Sequence, residues 1–367
     1  MENKEGKAKK VLVGMSGGVD SSVVALLLKQ QGYNVVGLHM RGANADQADE
    51  DEKTVTELCQ KLGIEFYIEN YDDEMQFVKD YFIKEYAEGR TPNPCVVCNQ
   101  FVKFKPFIEF AEKLNADFFA TGHYANIEHG RKGHVLKKGN DETKDQSYFL
   151  NQLSQEQLKK ALFPLGNLTK DEVRKIAEDN NLVSAHKKDS FDVCFVGSQK
   201  FKNYINQKYP QKAGDIVNIL NGKVIGKHDG AAKFTIGQRK GLGIGGGHGE
   251  TGEGWFVIKK DIKSNVVYVS QGDGDELLSD ALISNNFNWI PCVPKQKEIL
   301  CKAKFRYRQT DQDVKVKIKD GGEVLIEFER PQRAITTGQF VVLYDNDICL
   351  GGGRIDKVLK NGQNLDL

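Results

Sequence analysis

The chain has no apolar run approaching the roughly 18 residues of a membrane-spanning helix, which argues against an integral helical membrane protein. Its opening, MENKEGKAKK, lacks the apolar core of a secretory signal and the Arg- and Ser-rich character of a transit segment, so a cytoplasmic protein is expected. Charge bias is missing too. Lys and Arg number 52 against 51 Asp and Glu, a formal net charge of +1. Dedicated nucleic-acid binders are often clearly basic, so a polyanion would have to meet local patches. Lys103/Lys105, Lys187/Lys188, Lys233/Arg239/Lys240 and Lys302/Lys304/Arg306/Arg308 are the candidates, each of which also reads as an ordinary solvated face. Internal repeats and low-complexity segments are absent. Cysteines are few and odd in number, seven in 367 residues, which implies reduced thiols rather than a disulfide framework. What remains is the composition of a soluble globular protein, 39% hydrophobic and 28% charged, long enough for two or three domains.

Residues 11–22, VLVGMSGGVDSS, carry the strongest signal. An apolar β-type run ends in Ser16-Gly17-Gly18-Val19-Asp20-Ser21, and a helical apolar pattern follows from Val23 to Leu28. A strand feeding a glycine turn at a helix N-terminus makes a pocket of backbone N–H groups for phosphate. Gly17 and Gly18 permit unusual backbone angles and close ligand approach. Ser16 and Ser21 add hydroxyl donors. Asp20 cannot favour a bare phosphate, so its expected work is to hold Mg²⁺. The pattern is neither the Walker loop nor the dinucleotide fingerprint. It resembles the PP-loop of ATP pyrophosphatases, which split ATP into AMP and pyrophosphate; the plain alternative is a structural glycine turn.

Strands are expected at 11–15, 35–39, 64–68 and 117–121, and helices at 20–31, 51–62, 73–88 and 99–114. That alternation predicts an α/β fold, a parallel sheet with helices on both faces and its ligand at the carboxyl ends of the strands. Thr169-Lys-Asp-Glu172 reads as a capping box with a purely structural role. After about residue 205 glycine becomes dense, above all in 241–254, and from about 300 the pattern is β. Val314–Lys319 alternates, Asp320-Gly-Gly322 turns and Val324–Glu329 returns, with further short strands at 340–344 and 348–355. The expected division is a nucleotide domain over 1–205, a small β-rich domain over 206–280 and a C-terminal β-barrel over 281–367.

Three cysteines stand out. Cys95 and Cys98 lie in TPNPCVVCN and Cys194 in DSFDVCFVG. Pro92 and Pro94 argue for a loop that opens onto a helix near 99. A thiol at a helix start near lysines is expected to have its pKa lowered, which would make Cys98 a thiolate near neutrality. Cys59, Cys292, Cys301 and Cys349 sit in apolar or strand patterns and read as buried inert thiols.

Taken together, the segments GMSGGVDSS (14–22), Leu38-His-Met40, GRTPNPCVVCN (89–99) with Lys103-Phe-Lys105, and Ala120-Thr-Gly-His-Tyr124 resemble the tRNA-specific 2-thiouridylases. So do Lys144-Asp-Gln-Ser-Tyr-Phe149, the segment around Cys194, FTIGQRKGLG (234–243), Phe305-Arg-Tyr-Arg-Gln309 and Thr337-Gly-Gln339, and together these run nearly the whole length. The resemblance implies an ATP-dependent exchange of sulfur for oxygen at C2 of the wobble uridine. It implies that Gly14, Met15, Ser16, Gly17, Gly18, Val19, Asp20 and Ser21, with Met40 and Gly122, border ATP and Mg²⁺. It makes Cys194 the persulfide carrier and Cys98 its partner. Asn93, Pro94 and Cys95 would frame the flipped-out base, and His123, Lys144, Asp145, Gln146, Arg306, Tyr307 and Gln339 would contact tRNA. A persulfide-donating sulfur carrier or cysteine desulfurase is the implied partner.

Some members of that family have Asp where this chain has Cys95. Three thiolates, Cys95, Cys98 and Cys194, could instead ligate an iron–sulfur cluster that delivers sulfide. A PP-loop synthetase forming an amide or ester on a small metabolite has no need of the cysteines, and a non-catalytic RNA-binding protein has no need of the glycine loop.

Overall fold

The computed structural model describes residues 8–42, 48–131, 133–187, 193–196, 201–244, 252–272 and 274–365. Lys188, the residues flanking Cys194 at 189–192 and 197, and much of the glycine-rich run at 245–251 lie outside the described residues.

The N-terminal part is an α/β unit on a five-stranded sheet. Its strand order is Glu65–Asn70, Asn34–Arg41, Lys10–Gly14, Phe118–Ala120, Ala161–Leu162, with every pairing parallel. Lys10–Gly14 is central and apolar because both of its faces are covered; Val11, Leu12 and Val13 are fully buried. Chain order reverses on either side of this strand, so a crevice opens at its carboxyl end. Helices Val19–Gln30, Ala48–Leu62 and Asp72–Ala87 follow the first three strands.

Between residues 92 and 138 one reading is corrected and one element is new. The chain is helical from Pro94, not from about 99. Pro94 occupies the first turn of Pro94–Cys98, where its missing N–H leaves no partner unsatisfied. A π-helical turn over Asn99–Phe104 then leads into Lys105–Lys113. The hairpin Ala125–Gly130/Gly133–Lys138 was not expected, and it leaves the parallel sheet to pair with the barrel.

The central β-rich part is a four-stranded sheet in the order Trp255–Asp261, Val266–Gln271, Gly214–Asn218, Val224–His228, on a core of its own. The C-terminal part is a closed six-stranded antiparallel barrel. Leu278–Ser284 pairs Val324–Arg333, then follow Gln312–Ile318, Glu298–Lys304, Phe340–Asp345 and Ile348–Lys360, which closes on Leu278–Ser284. The unexpected hairpin joins this barrel through Leu136↔Cys349 and Lys137↔Ile348. Among the described residues no helix is long and apolar enough to cross a membrane.

Candidate active site

At the carboxyl end of the central strand the chain turns through Met15–Gly18 into helix Val19–Gln30. Gly17 has φ +77°, and a Cβ there would meet Asp51 at 3.1–3.2 Å, so the loop needs glycine on both counts. Gly18 is the N-cap and supplies no side chain, leaving the first-turn N–H groups without a side-chain cap. The Ser16 and Ser21 hydroxyls lie 3.2 Å apart, and the Ser16 N–H donates to Ser21 Oγ. The ring of His39 bonds the Met15 carbonyl at 2.8 Å from the neighbouring strand. Uncapped amides, two hydroxyls and a helix dipole form a cradle suited to phosphate. Gly122, at the end of the adjoining strand, packs on it; a Cβ there would lie 3.0 Å from Asp20 Cβ and 3.2 Å from Ser21 N.

Asp20 is engaged otherwise than expected. Lys170 Nζ lies 2.7 and 2.9 Å from its two oxygens, and the Tyr124 hydroxyl donates to it at 2.8 Å. The Thr169/Glu172 capping box is present as read. Yet the helix it starts also delivers a nearly buried lysine to the phosphate loop, so its role is not purely structural. Sequence spacing gave no sign of this, because Asp20 and Lys170 are 150 residues apart. A cation on Asp20 would share the carboxylate with Lys170 Nζ or displace it. Lys187 makes a second such pair, 3.0 Å from Asp51, the residue seated over Gly17.

The thiols come together across the chain. Cys95 and Cys98 share the short helix, Cys95 exposed and Cys98 half-buried, and Cys194 stands exposed in the turn Cys194–Val196. Phe195 and Cys98 pack on one apolar cluster with Met75, Val78, Val97 and Val102, which Met40 also touches. The expected thiolate is corrected: burial pushes the Cys98 thiol up to about 12, because removing water penalises the charged form. Lys103 acts the other way more weakly, and Cys194 and Cys95 raise Cys98 further. All seven cysteines are free thiols, and Cys292 is exposed, in the loop after Pro291, rather than buried. Among the described residues no group of three or more His, Cys, Asp or Glu side chains is arranged to hold a metal ion.

The residues expected at the base and the RNA are largely engaged within the protein. His123 is buried, bonds Thr121 at 2.6 Å, and is held neutral by burial and by Lys103. Asp145 is buried and accepts from the Gly139 and Ser147 N–H groups and the Ser147 hydroxyl. Gln146 accepts from the Tyr124 N–H, while Lys144 lies in the turn just before it. Arg306 donates to Ile236 O, Ala334 O and Thr336 Oγ1. The Tyr307 ring packs tilted on Phe149, centroids 4.3 Å apart, and Gln339 donates to the carbonyls of Thr91 and Pro92.

A glycine cradle at the switch point of a parallel sheet defines a nucleotide-binding α/β protein of the PP-loop class, here with a β-barrel attached. Residues 9–198 match the family model described as the tRNA methyl transferase HUP domain. Residues 202–271 match that of the tRNA methyl transferase PRC-barrel domain and 279–355 that of the aminomethyltransferase beta-barrel domain. The chain is 49% identical over 374 residues to the tRNA-specific 2-thiouridylase MnmA of Oceanobacillus iheyensis, covering 99% of each. To that of Alkaliphilus oremlandii it is 50% identical over 368 residues, covering 98% of this chain and 100% of the relative. Among solved structures it is similar to the U34-tRNA thiolase NcsA from Methanococcus maripaludis with its 4Fe-4S cluster. There the TM-score is 0.36 at 21% identity, over 55% of this chain and 67% of that one. The chain belongs to the tRNA-specific 2-thiouridylase family.

Proposed function

We propose that the chain is a tRNA-uridine 2-sulfurtransferase that thiolates the wobble uridine in two stages, with residues 1–205 as the thiolating unit, 206–280 as an adaptor and 281–367 facing tRNA. In the first stage the uracil C2 oxygen attacks the α-phosphorus of ATP. Pyrophosphate leaves into the Ser16–Ser21 cradle, whose donors are in place before charge develops. Met40 and Gly122 border the adenosine. In the second stage the terminal sulfur of a Cys194 persulfide bonds to C2, and AMP departs with the oxygen. The Cys98 thiolate attacks Cys194 Sγ, the persulfide S–S bond breaks, and its electron pair stays on the sulfur now held by C2. The products are 2-thiouridine and a Cys98–Cys194 disulfide, which a dithiol must reduce before a persulfide donor reloads Cys194. Lys103, which favours the ionised form of Cys98, would hold the thiolate.

The observation that supports this reading best is that Phe195, the neighbour of Cys194, packs on the same apolar cluster as Cys98, although 95 residues separate the two cysteines. Cys98→Ser and Cys194→Ser are each expected to abolish 2-thiouridine, measured by mass spectrometry of tRNA nucleosides, while ATP binding survives. Full 2-thiouridine from either variant would overturn the assignment.

A further inference from the structure

The segment Arg90-Thr-Pro-Asn93, which launches the helix bearing Cys95 and Cys98, is poor in donors of its own. Pro92 has no N–H, nor does Pro94 after it, so only the Thr91 and Asn93 amides are available over Thr91–Pro94. Such a segment offers few donors for local hydrogen bonds, so contacts from outside weigh heavily in fixing its position.

The barrel does the fixing. The Thr91 N–H donates to Thr337 O at 2.9 Å. Gln339 Nε2 donates to Thr91 O at 3.0 Å and to Pro92 O at 3.2 Å, across nearly 250 residues of sequence. Gly338, φ +89°, lets the two backbones meet; a Cβ there would sit 2.9 Å from Thr91 O. Asn93 bonds the Tyr148 hydroxyl, which donates to Phe340 O at 2.8 Å. Arg90 binds buried Glu85 through two nitrogens at 2.6 and 2.7 Å, and Arg354 of the barrel reaches Glu85 at 3.2 Å. Barrel residues 337–340 and 354 thus reach Arg90, Thr91, Pro92 and Asn93, directly or through one side chain. The barrel loop is itself pinned, since Gly338 N donates to Ile355 O and Ile355 N to Gln339 O.

We infer that Gln339 is a positioning residue for the Cys95–Cys98 helix, and that the barrel fixes where the Cys98 thiol stands. Both amide protons of Gln339 have acceptors on the segment that starts the helix. The catalytic consequence rests on the proposed role of Cys98, but the clamp itself does not.

Gln339→Glu keeps the size of the side chain and sets a carboxylate against two carbonyls, while Gln339→Leu removes the donors. Both are expected to speed alkylation of Cys98, followed by peptide mass spectrometry, as the helix start loosens. Both are expected to lower kcat for thiolation roughly tenfold, the equivalent of about 1.4 kcal/mol or one neutral hydrogen bond, with KM for tRNA little changed. Unchanged Cys98 alkylation in both variants overturns the inference, and a raised KM beside it identifies Gln339 as an RNA contact. Faster alkylation in the variants, with Cys98→Ser still thiolating, leaves the clamp standing and removes the role given to Cys98. The unmodified chain supplies a check free of any folding defect: the Thr91 amide must exchange slowly with solvent deuterium, and exchange at an open-loop rate refutes the clamp.

Discussion

Asp20 brings a negative charge to the loop built for phosphate, and Lys170 cancels it at 2.7 Å. A carboxylate beside a phosphate cradle repels the ligand unless something neutralises it, so the two side chains should act as a unit. Lys170→Met is therefore expected to lose tRNA-dependent pyrophosphate release, because it leaves the Asp20 carboxylate bare against the phosphates, and adding Asp20→Asn to it should recover part of the loss. The double variant should be no worse than the poorer single one, because coupled residues are not additive. Normal turnover by Lys170→Met would show that Asp20 works without it. Cys98 makes a prediction in pH. Burial raises its pKa to about 12, so in the free protein the reactive thiolate is scarce at neutrality and grows as pH rises. Alkylation of Cys98 should climb about tenfold per unit through pH 9–11, and a plateau beginning near the ordinary thiol value of about 8.5 contradicts the shift. Cys95 is exposed and only Cys98 and Cys194 need be thiols in the persulfide route. Cys95→Ala is thus expected to thiolate tRNA at a measurable rate without iron when given a persulfide donor. Activity confined to anaerobically reconstituted protein, and absent from Cys95→Ala, would favour a cluster instead. At this scale the sequence named the groups but not their states. The same local pattern, thiol beside lysine at a helix start, suggested a lowered pKa, and the apolar packing of Val97, Val102 and Phe195 reverses it.

Elements were legible where their cause is local. The central strand, its glycine loop and the helix after it follow from an apolar run, a turn and a 3.6-residue period, all within 20 residues. The capping box at Thr169 is equally local. Its hydroxyl accepts from the Glu172 N–H while Glu172 returns a bond to the Thr169 N–H at 2.7 Å. Thr169→Ala is expected to destabilise the protein by about 1 kcal/mol in chemical denaturation. Because that helix also carries Lys170, the same variant should weaken pyrophosphate release; a loss of stability with release intact would make Lys170 independent of the cap. Elements whose cause is distant could not be read. The hairpin Ala125–Lys138 has a half-buried pattern that fits any sheet, and only Ile348 and Cys349 of the barrel decide which one it joins. Prolines suggested a loop up to residue 99, whereas Pro94 starts the helix; one residue type supports both outcomes, and the clamp on Arg90–Asn93 selects between them.

On the scale of the whole molecule, the α/β unit and the barrel share one apolar core. Leu12, Leu38, Phe104 and Phe119 of the first are in the same buried cluster as Phe340, Val342, Tyr344 and Cys349 of the second. The central sheet has a separate core around Trp255, Val257 and Val267. Composition shifts along the chain suggest three units, but cooperativity follows cores, not composition. Tyr344 sits on the shared boundary. It is fully buried, its hydroxyl is 3.2 Å from Ser147 Oγ, and Lys138 Nζ lies 4.4 Å from its ring centroid. Two buried cysteines report on the two sides without any added label, Cys59 beneath the parallel sheet and Cys349 in the barrel. If the core is one cooperative body, both become open to alkylation at the same denaturant concentration. Tyr344→Ala removes a large side chain from a closed core and is expected to cost about 3–5 kcal/mol. The decisive result is that it shifts the Cys59 and Cys349 midpoints together, although Cys59 lies in a different cluster from Tyr344. A shift of Cys349 alone, with Cys59 still protected, would mean that the barrel unfolds by itself and that its contacts with Arg90–Asn93 break before the nucleotide unit opens.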